Sequence, residues 1–371
     1  MAEQSRIVEL TQKLIRANSE NPGGTEKAVA EIVKKELIEC GFEVKTYEFE
    51  KARKNVVGVL KGTSSEKSLL LTPHLDTVPA GTGWKHNPFA AEIVDNKIYG
   101  RGAADCKCNV AICLEAARQI RERGIKLDYD LIIAATADEE KGSQLGLIPL
   151  LEKQIITPTH ALVMDHDRFK IVIMQKGVLR LNAIIFGKKA HGAYPWKGEN
   201  AIEKAAEIIQ NLKTHNFKYA PHPLVRPPTI NIGLIKGGTA ENIVADECEF
   251  TIDMRFLPGM EINKILCEIK EIMEKTTKSY RLTETRSQPA YEIDRNNLLV
   301  KLLESAIKKN GITPKVEGSE GATTMVFFQK YGIPAISFGI GPDMAHQTDE
   351  YVEIDALNKG TEVLLEFLRT F

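Results

Sequence analysis

Ser68-Leu-Leu-Leu-Thr-Pro73 runs directly into His74-Leu75-Asp76. The run is apolar and shorter than a typical helix, so it reads as a buried strand. Two further runs end in the same way. Leu131-Ile-Ile-Ala-Ala-Thr-Ala137 leads to Asp138-Glu139-Glu140, and Ala161-Leu-Val-Met164 leads to Asp165. Such runs alternating with helical patterns indicate an α/β layer fold, which gathers ligands at the carboxyl ends of its strands.

Working outward, Ile7, Leu10, Leu14 and Ile15 repeat at helical spacing until Asn21-Pro22-Gly23-Gly24 breaks the pattern. Thr25 is placed to cap a second helix that ends at Gly41. Strands are expected at 42–49, 55–60, 68–75 and 131–137, with a helix over 110–123. The texture changes near Gly177. Strands at 178–186, 229–235 and 248–256 alternate with helices at 200–214 and 261–277, around a proline- and histidine-rich loop at 215–228. After Glu284 the α/β pattern returns, with helices at 298–309, 323–331 and 355–370 and a buried strand at 333–340. The reading is therefore a catalytic domain formed by 1–176 and 287–371, interrupted by an inserted α+β domain at 177–286.

Composition limits the function classes. A chain of 371 residues is too long for one ordinary core. With 43% apolar and 27% charged residues it has the make-up of a soluble globular protein. A formal net charge of −1 gives no field to attract nucleic acid or an acidic membrane, so neither is expected as a partner. Met1–Val8 lacks a signal-type apolar segment, and no stretch approaches the roughly 20 apolar residues of a membrane span. Cys40, Cys106, Cys108, Cys113, Cys248 and Cys267 suggest no disulfide framework, so a cytoplasmic location is expected.

Each polar strand end has an ordinary explanation when taken alone. His74 reads first as a hydrogen-bonded structural residue. Asp76, two positions on, faces the same way in an extended chain and can orient a ligating imidazole. Asp105, in Tyr99-Gly-Arg-Gly-Ala-Ala-Asp-Cys-Lys, reads as a turn or cap aspartate. Glu139-Glu140 is an adjacent like-charge pair, which a nearby cation would stabilise. Asp165 could be a strand-end turn residue, and His346 sits in the polar loop Gly339-Ile-Gly-Pro-Asp-Met-Ala-His-Gln-Thr-Asp-Glu350.

Together, in this order, these segments resemble one family. His74-Leu-Asp-Thr-Val-Pro79, Tyr99-Gly-Arg-Gly-Ala-Ala-Asp105, Asp138-Glu-Glu-Lys-Gly142, Lys189-Ala-His-Gly192 and Ala345-His-Gln-Thr348 are similar to motifs of the zinc-dependent amidohydrolases and peptidases. That family includes acetylornithine deacetylase, succinyl-diaminopimelate desuccinylase, carboxypeptidase G and aminoacylase. The resemblance covers nearly the whole chain. It implies a zinc-exopeptidase-like α/β catalytic domain, with a central mixed sheet flanked by helices, and an inserted α+β lid domain that mediates homodimerisation. It also implies two Zn²⁺ ions, with Co²⁺ or Mn²⁺ as substitutes. His74 and Asp165 would bind one ion, Glu140 and His346 the other, and Asp105 both. Glu139 would be the general base on the bridging water, and Asp76 would orient His74. His191 would reach the partner subunit's site, while Asn242, Arg255, Gly321 and Thr323 would contact substrate. The chemistry agrees, because imidazole and carboxylate donors without thiolate suit an open catalytic zinc site. An arginine also offers a bidentate grip on a carboxylate.

Three departures bear on substrate. Asp165 stands where the deacylase and carboxypeptidase branches usually carry Glu, and Asp occurs there in aminopeptidase and dipeptidase branches. Asp167 is a nearby competitor, but Asp165 keeps the spacing to Gln175-Lys-Gly177. Cys106-Lys-Cys108-Asn109 replaces the commoner Met-Lys-Gly-Gly, and small buried thiols are the simpler reading than soft-metal ligands. Met325 stands where desuccinylases have an aspartate. The expected activity is hydrolysis of the amide bond of a small N-acyl amino acid. A dipeptidase or aminopeptidase is the alternative, and a non-catalytic metal- or peptide-binding relative is the remoter one.

Overall fold

The computed structural model describes residues 5–165 and 168–371; Asp167 lies outside them. The chain forms two compact units. The first comprises Met1–Ile173, Ile293–Glu317 and Phe327–Phe371, and the second Met174–Glu292 and Gly318–Val326.

In chain order the first unit starts with helices α1 (Arg6–Arg16) and α2 (Lys27–Glu39) and strands β1 (Glu43–Glu48), β2 (Lys54–Leu60) and β3 (Ser68–Pro73). The Thr25 hydroxyl accepts the Lys27 N–H, but the N-cap position of α2 falls on Glu26, whose side chain makes no cap, so the cap expected at Thr25 is displaced by one residue. A short hairpin, β4 (Glu92–Val94) and β5 (Lys97–Tyr99), precedes α3 (Lys107–Glu122), β6 (Asp130–Ala135), α4 (Leu147–Glu152), β7 (His160–Met164) and β8 (Lys170–Gln175). The second unit holds β9 (Gly177–Phe186), α5 (Ala201–Thr214), β10 (Thr229–Gly237), β11 (Glu247–Phe256), α6 (Ile262–Thr276), β12 (Tyr280–Gln288) and β13 (Tyr291–Glu292). The chain then adds α7 (Leu298–Lys309), β14 (Lys315–Ser319), α8 (Val326–Gln329), β15 (Ala335–Phe338), β16 (Tyr351–Glu353) and α9 (Ile354–Thr370).

The first unit's sheet runs β1-β2-β6-β3-β7-β15-β8. Its centre is parallel, with β6, β3, β7 and β15 all pointing one way, while β2 and β8 are antiparallel to their inner neighbours. Leu69, Leu70 and Leu71 are all fully buried, because strands covered on both faces have no polar side. Each such side chain contributes about 1.5–3 kcal/mol relative to exposure. Helix α2 lies against β2, α3 against β3 and α7 against β15, and α9 packs on α1, α3 and α7.

The second unit is a sheet of order β10-β11-β9-β12 under two helices. Alternation sets its core. Leu179, Leu181, Ala183 and Ile185 of β9 meet Ala201, Ala205, Ile208 and Leu212 of α5 and Ile265, Ile269 and Ile272 of α6. Asn200 caps α5 by accepting the N–H groups of Ile202 and Glu203.

Some elements differ from the sequence reading. Strands β8 and β12 are additional, and the helix expected at 110–123 begins at Lys107. The helix expected at 323–331 shrinks to Val326–Gln329, and Gly318–Val326 belongs to the second unit. Side chains from the start of that unit explain this. Gln175 Oε1 accepts the Thr323 N–H at 3.1 Å and its hydroxyl at 2.7 Å, and Lys176 Nζ lies 2.5 Å from Glu320 Oε2. Among the described residues no helix is long and apolar enough to cross a membrane.

Candidate metal centre

The parallel strands deliver the candidate ligands to one sheet edge. Pro73 of β3 pairs with Met164 of β7, so His74 and Asp165 leave neighbouring strand ends together. On the other side His74 bridges to Thr136, which places Asp138–Glu140 beside it. Phe338 of β15 pairs with Met164, and the loop that follows carries His346. Gly339 must be glycine here, since a Cβ would lie 1.4 Å from the Asp165 carbonyl oxygen. Asp105 arrives just before α3, joined to Cys106 by a cis peptide.

Among the described residues two groups of ligand atoms cluster within 4.8 Å: His74, Asp105 and Cys106, and Asp105, Glu140 and His346. Asp105 belongs to both. Its Oδ1 lies 2.9 Å from His74 Nε2, and its Oδ2 lies 3.5 Å from His346 Nε2. Glu140 Oε2 lies 3.1 Å from His346 Nε2. Asp165 and Glu139 are in neither group. Asp165 is tied instead through its backbone, its N–H to the Phe338 carbonyl and its carbonyl to the Asn109 amide at 2.7 Å. Asn109 also accepts the Ile340 N–H, so one amide aligns two strand ends.

Asp76 does more than its spacing to His74 indicates. The closer partner of His74 Nδ1 is the Asp76 carbonyl oxygen at 2.9 Å, with the carboxylate at 3.6 Å. The carboxylate accepts the N–H groups of Glu139 (3.0 Å) and Glu140 (3.2 Å) and the Asn21 amide (2.9 Å). Asp76 thus fixes the backbone that presents both glutamates. Asn21 also reaches Asp138, whose φ of 65° makes the turn. Arg53 lies 3.4 Å from Asp138 and grips Glu26 through two nitrogens. The sequence pattern does not single out Asn21, Arg53 or Asn109 as site residues, since Asn21 before a proline reads only as a helix breaker.

Hydrogen bonds that the ring donates to the Asp105 and Glu140 carboxylates hold the His346 imidazole up at about 10. Burial, opposed by His74 and reinforced by Asp165, Glu140 and Asp105, raises the Glu139 carboxyl to about 8. Glu140 Oε1 is buried and has no hydrogen-bond donor. A buried acceptor without a donor is uncommon, and a cation satisfies it. The donors are imidazole and carboxylate, which suits a catalytic divalent metal. Cys106 is already engaged: its Sγ accepts the His74 N–H and donates to the His74 carbonyl, and burial pushes the thiol up to about 12. It acts as a packing thiol.

The other candidates lie in the second unit. The His191 backbone bridges to Ile243, and its ring nitrogen accepts the Ala193 N–H. Asn242 accepts the Gly192 N–H through its carbonyl at 2.7 Å. Arg255 Nε lies 2.7 Å from Asp253, which Arg180 also holds. The Gly321 N–H donates to the Ser319 hydroxyl, and Thr323 is held by Gln175.

A model of the peptidase family M20/M25/M40 matches residues 70–370. The chain belongs to this family. It is 30% identical to an uncharacterised metallohydrolase of Methanocaldococcus jannaschii, over 98% of both chains. It is 32% identical to an acetylornithine deacetylase of Pectobacterium carotovorum, over 82% of this chain and 80% of that one. The aminopeptidase PepT of Bacillus cereus superposes with a TM-score of 0.84 at 26% identity, covering 99% and 98% of the two chains. As a member of the M20/M25/M40 family the protein is a metal-binding hydrolase.

Proposed function

We propose that the protein is a di-zinc amide hydrolase acting on small N-acyl amino acids. The observation that carries this reading is the pair of ligand groups sharing Asp105, with Glu139 beside them and outside both. His74, Asp105 and Asp165 would hold one ion, and Asp105, Glu140 and His346 the other. Bound divalent ions would polarise the scissile carbonyl and make water acidic enough to react near neutral pH. Glu139 takes the water's proton and returns it to the leaving amine. Its backbone N–H, fixed by Asp76, sets where its carboxyl can reach. Arg255 and Asn242, with the Gly321–Thr323 loop, are the proposed grip on the substrate carboxylate.

The competing reading is a dipeptidase or aminopeptidase. Asp165 in place of Glu favours it, as does the likeness to the aminopeptidase PepT. Assaying the zinc-loaded protein on N-acetyl and N-succinyl amino acids and on dipeptides decides between them. Turnover of free-amine dipeptides alone would overturn the deacylase reading.

Metal uptake should be linked to pH through His346. Its pKa of about 10 means the imidazole carries a proton at neutral pH, and a metal must displace it. Apparent affinity at that position should therefore climb about tenfold per pH unit from neutrality toward 10, then level off. Calorimetry in two buffers of different ionisation enthalpy should show proton release at pH 7, which His346→Ala reduces while the share from His74, whose imidazole is also held well above its ordinary range, remains.

Homodimerisation through the second unit is part of the proposal. Strand β10 is a sheet edge carrying Leu234, 71% exposed, and Ile235, 57% exposed. An apolar open edge is a ready surface for pairing with a second copy. His191 would then serve the neighbouring subunit's chemistry. Mixing inactive His191→Ala with inactive Glu139→Gln should restore activity as subunits exchange. No recovery after proven exchange would remove the shared-site reading.

A further inference from the structure

We infer that Glu350 is a positioning residue that locks the Asp105 loop to the His346 loop. The inference rests on the reading that Asp105 and His346 hold metal. Glu350 follows His346 by four positions and has no exposed surface. Its Oε1 accepts the N–H groups of Ala104 at 2.7 Å and Asp105 at 2.9 Å. Its Oε2 accepts Arg101 Nη1 at 2.6 Å and the Gly102 N–H at 3.1 Å. The Glu350 carbonyl accepts the Gly100 N–H at 2.8 Å, and Arg101 Nη2 lies 3.5 Å from the His346 carbonyl. Gly102 has a φ of +85°, so the backbone can curl its N–H groups around the carboxylate without a Cβ meeting Thr77.

A buried Arg–Glu pair reads first as a structural salt bridge, but the inventory of partners points further. Arg101 supplies only one of the four donors to the carboxylate, and the other three are backbone N–H groups of the loop that ends in Asp105. A carboxylate is an acceptor at both oxygens and satisfies all four. A glutamine of the same size brings an NH₂ group to face donors, so at least one contact reverses from attraction to repulsion. The loop must then shift, and Asp105 shifts with it relative to His346. Groups that orient metal ligands in this way typically govern about 10–100-fold in metal affinity or activity.

Cobalt titration of the metal-free protein, followed by its visible spectrum, is the test, with circular dichroism as the check on folding. Glu350→Gln is expected to stay folded, bind Co²⁺ about 10–100-fold more weakly at one position and show a changed spectrum. Glu350→Asp, which keeps two acceptor oxygens, should recover part of the loss. Arg101→Lys keeps the charge and the three backbone contacts and should lose less than Glu350→Gln. His346→Ala serves as the reference for a lost ligand. A folded Glu350→Gln with wild-type affinity and spectrum, beside a His346→Ala that has lost one Co²⁺, overturns the inference while sparing the ligand assignment. A His346→Ala that binds Co²⁺ like the wild type overturns the assignment and the inference together. If Glu350→Gln does not fold, Glu350→Asp decides, and wild-type affinity and spectrum there overturn the inference.

Discussion

Glu139→Gln is expected to lower kcat by about 10²–10⁴-fold while leaving metal content and thermal stability close to wild type. The amide keeps the shape of the side chain but cannot accept a proton from water. The Glu139 backbone N–H still bonds Asp76, so the turn that presents Glu140 is undisturbed. Burial and the neighbouring carboxylates raise the Glu139 carboxyl to about 8 for the protein groups alone, and bound cations would lower it again. A base tuned near the working pH is the efficient arrangement. Glu140→Gln, one residue on, should behave differently. It replaces the carboxylate beside His346 and so should weaken one metal. Metal analysis and steady-state kinetics on both variants separate the roles. If both lose metal equally and Glu139→Gln keeps its activity, Glu139 is a ligand and the proposed base lies elsewhere.

The strands that build the centre were legible because they are apolar throughout. Leu69–Leu71 and Leu131–Ala135 are buried on both faces and carry almost no polar residue, so their ends stand out against the loops. Strand β12, Tyr-Arg-Leu-Thr-Glu-Thr-Arg-Ser-Gln, is a sheet edge with one solvated face, and its polar texture resembles a loop. Strand β8 ends where the chain enters the second unit, and its apolar run merges into the glycine-marked texture change at Gly177. The short strands β4 and β5 make a local hairpin, whereas β16 forms through tertiary pairing, since Tyr351 meets Tyr99 from far along the chain.

The same limit applies to the candidate site. His74 and Asp76, or Glu139 and Glu140, can be paired by eye because they are close in sequence. That Asp76 would cap the N–H groups of Glu139 and Glu140 cannot be read from a strand period, because it depends on β3 and β6 lying side by side. Glu350 looks like one more acid in the polar Thr348-Asp-Glu350 stretch, and its four donors come from residues 101–105. Asp165 stands out at its strand end, and the register of β7 with β3 accounts for that position. The exchange of Glu for Asp here makes the side chain one methylene shorter at a position that is 8% exposed.

Asp105→Asn should have the most complete effect on metal, because Asp105 is the residue common to both ligand groups. Its two oxygens face different imidazoles, Oδ1 toward His74 and Oδ2 toward His346. An asparagine keeps the volume and the backbone N–H held by Glu350, but offers one neutral oxygen in place of two anionic ones. The metal-free fold should therefore survive. What should disappear is the linkage between metal and stability. A ligand at 100 times its Kd stabilises the folded state by about 2.7 kcal/mol per independent site, and both increments depend on Asp105 in the proposed arrangement. Thermal unfolding with and without Zn²⁺ should show a large upward shift for the wild type and almost none for Asp105→Asn. Catalysis should fall by three or more orders of magnitude, since metal activation is worth several kcal/mol and each 1.36 kcal/mol is about tenfold in rate. A variant that keeps one full Zn²⁺-dependent increment would show that only one ion relies on Asp105. The two ligand groups would then be separate sites, and the shared-carboxylate arrangement would be wrong.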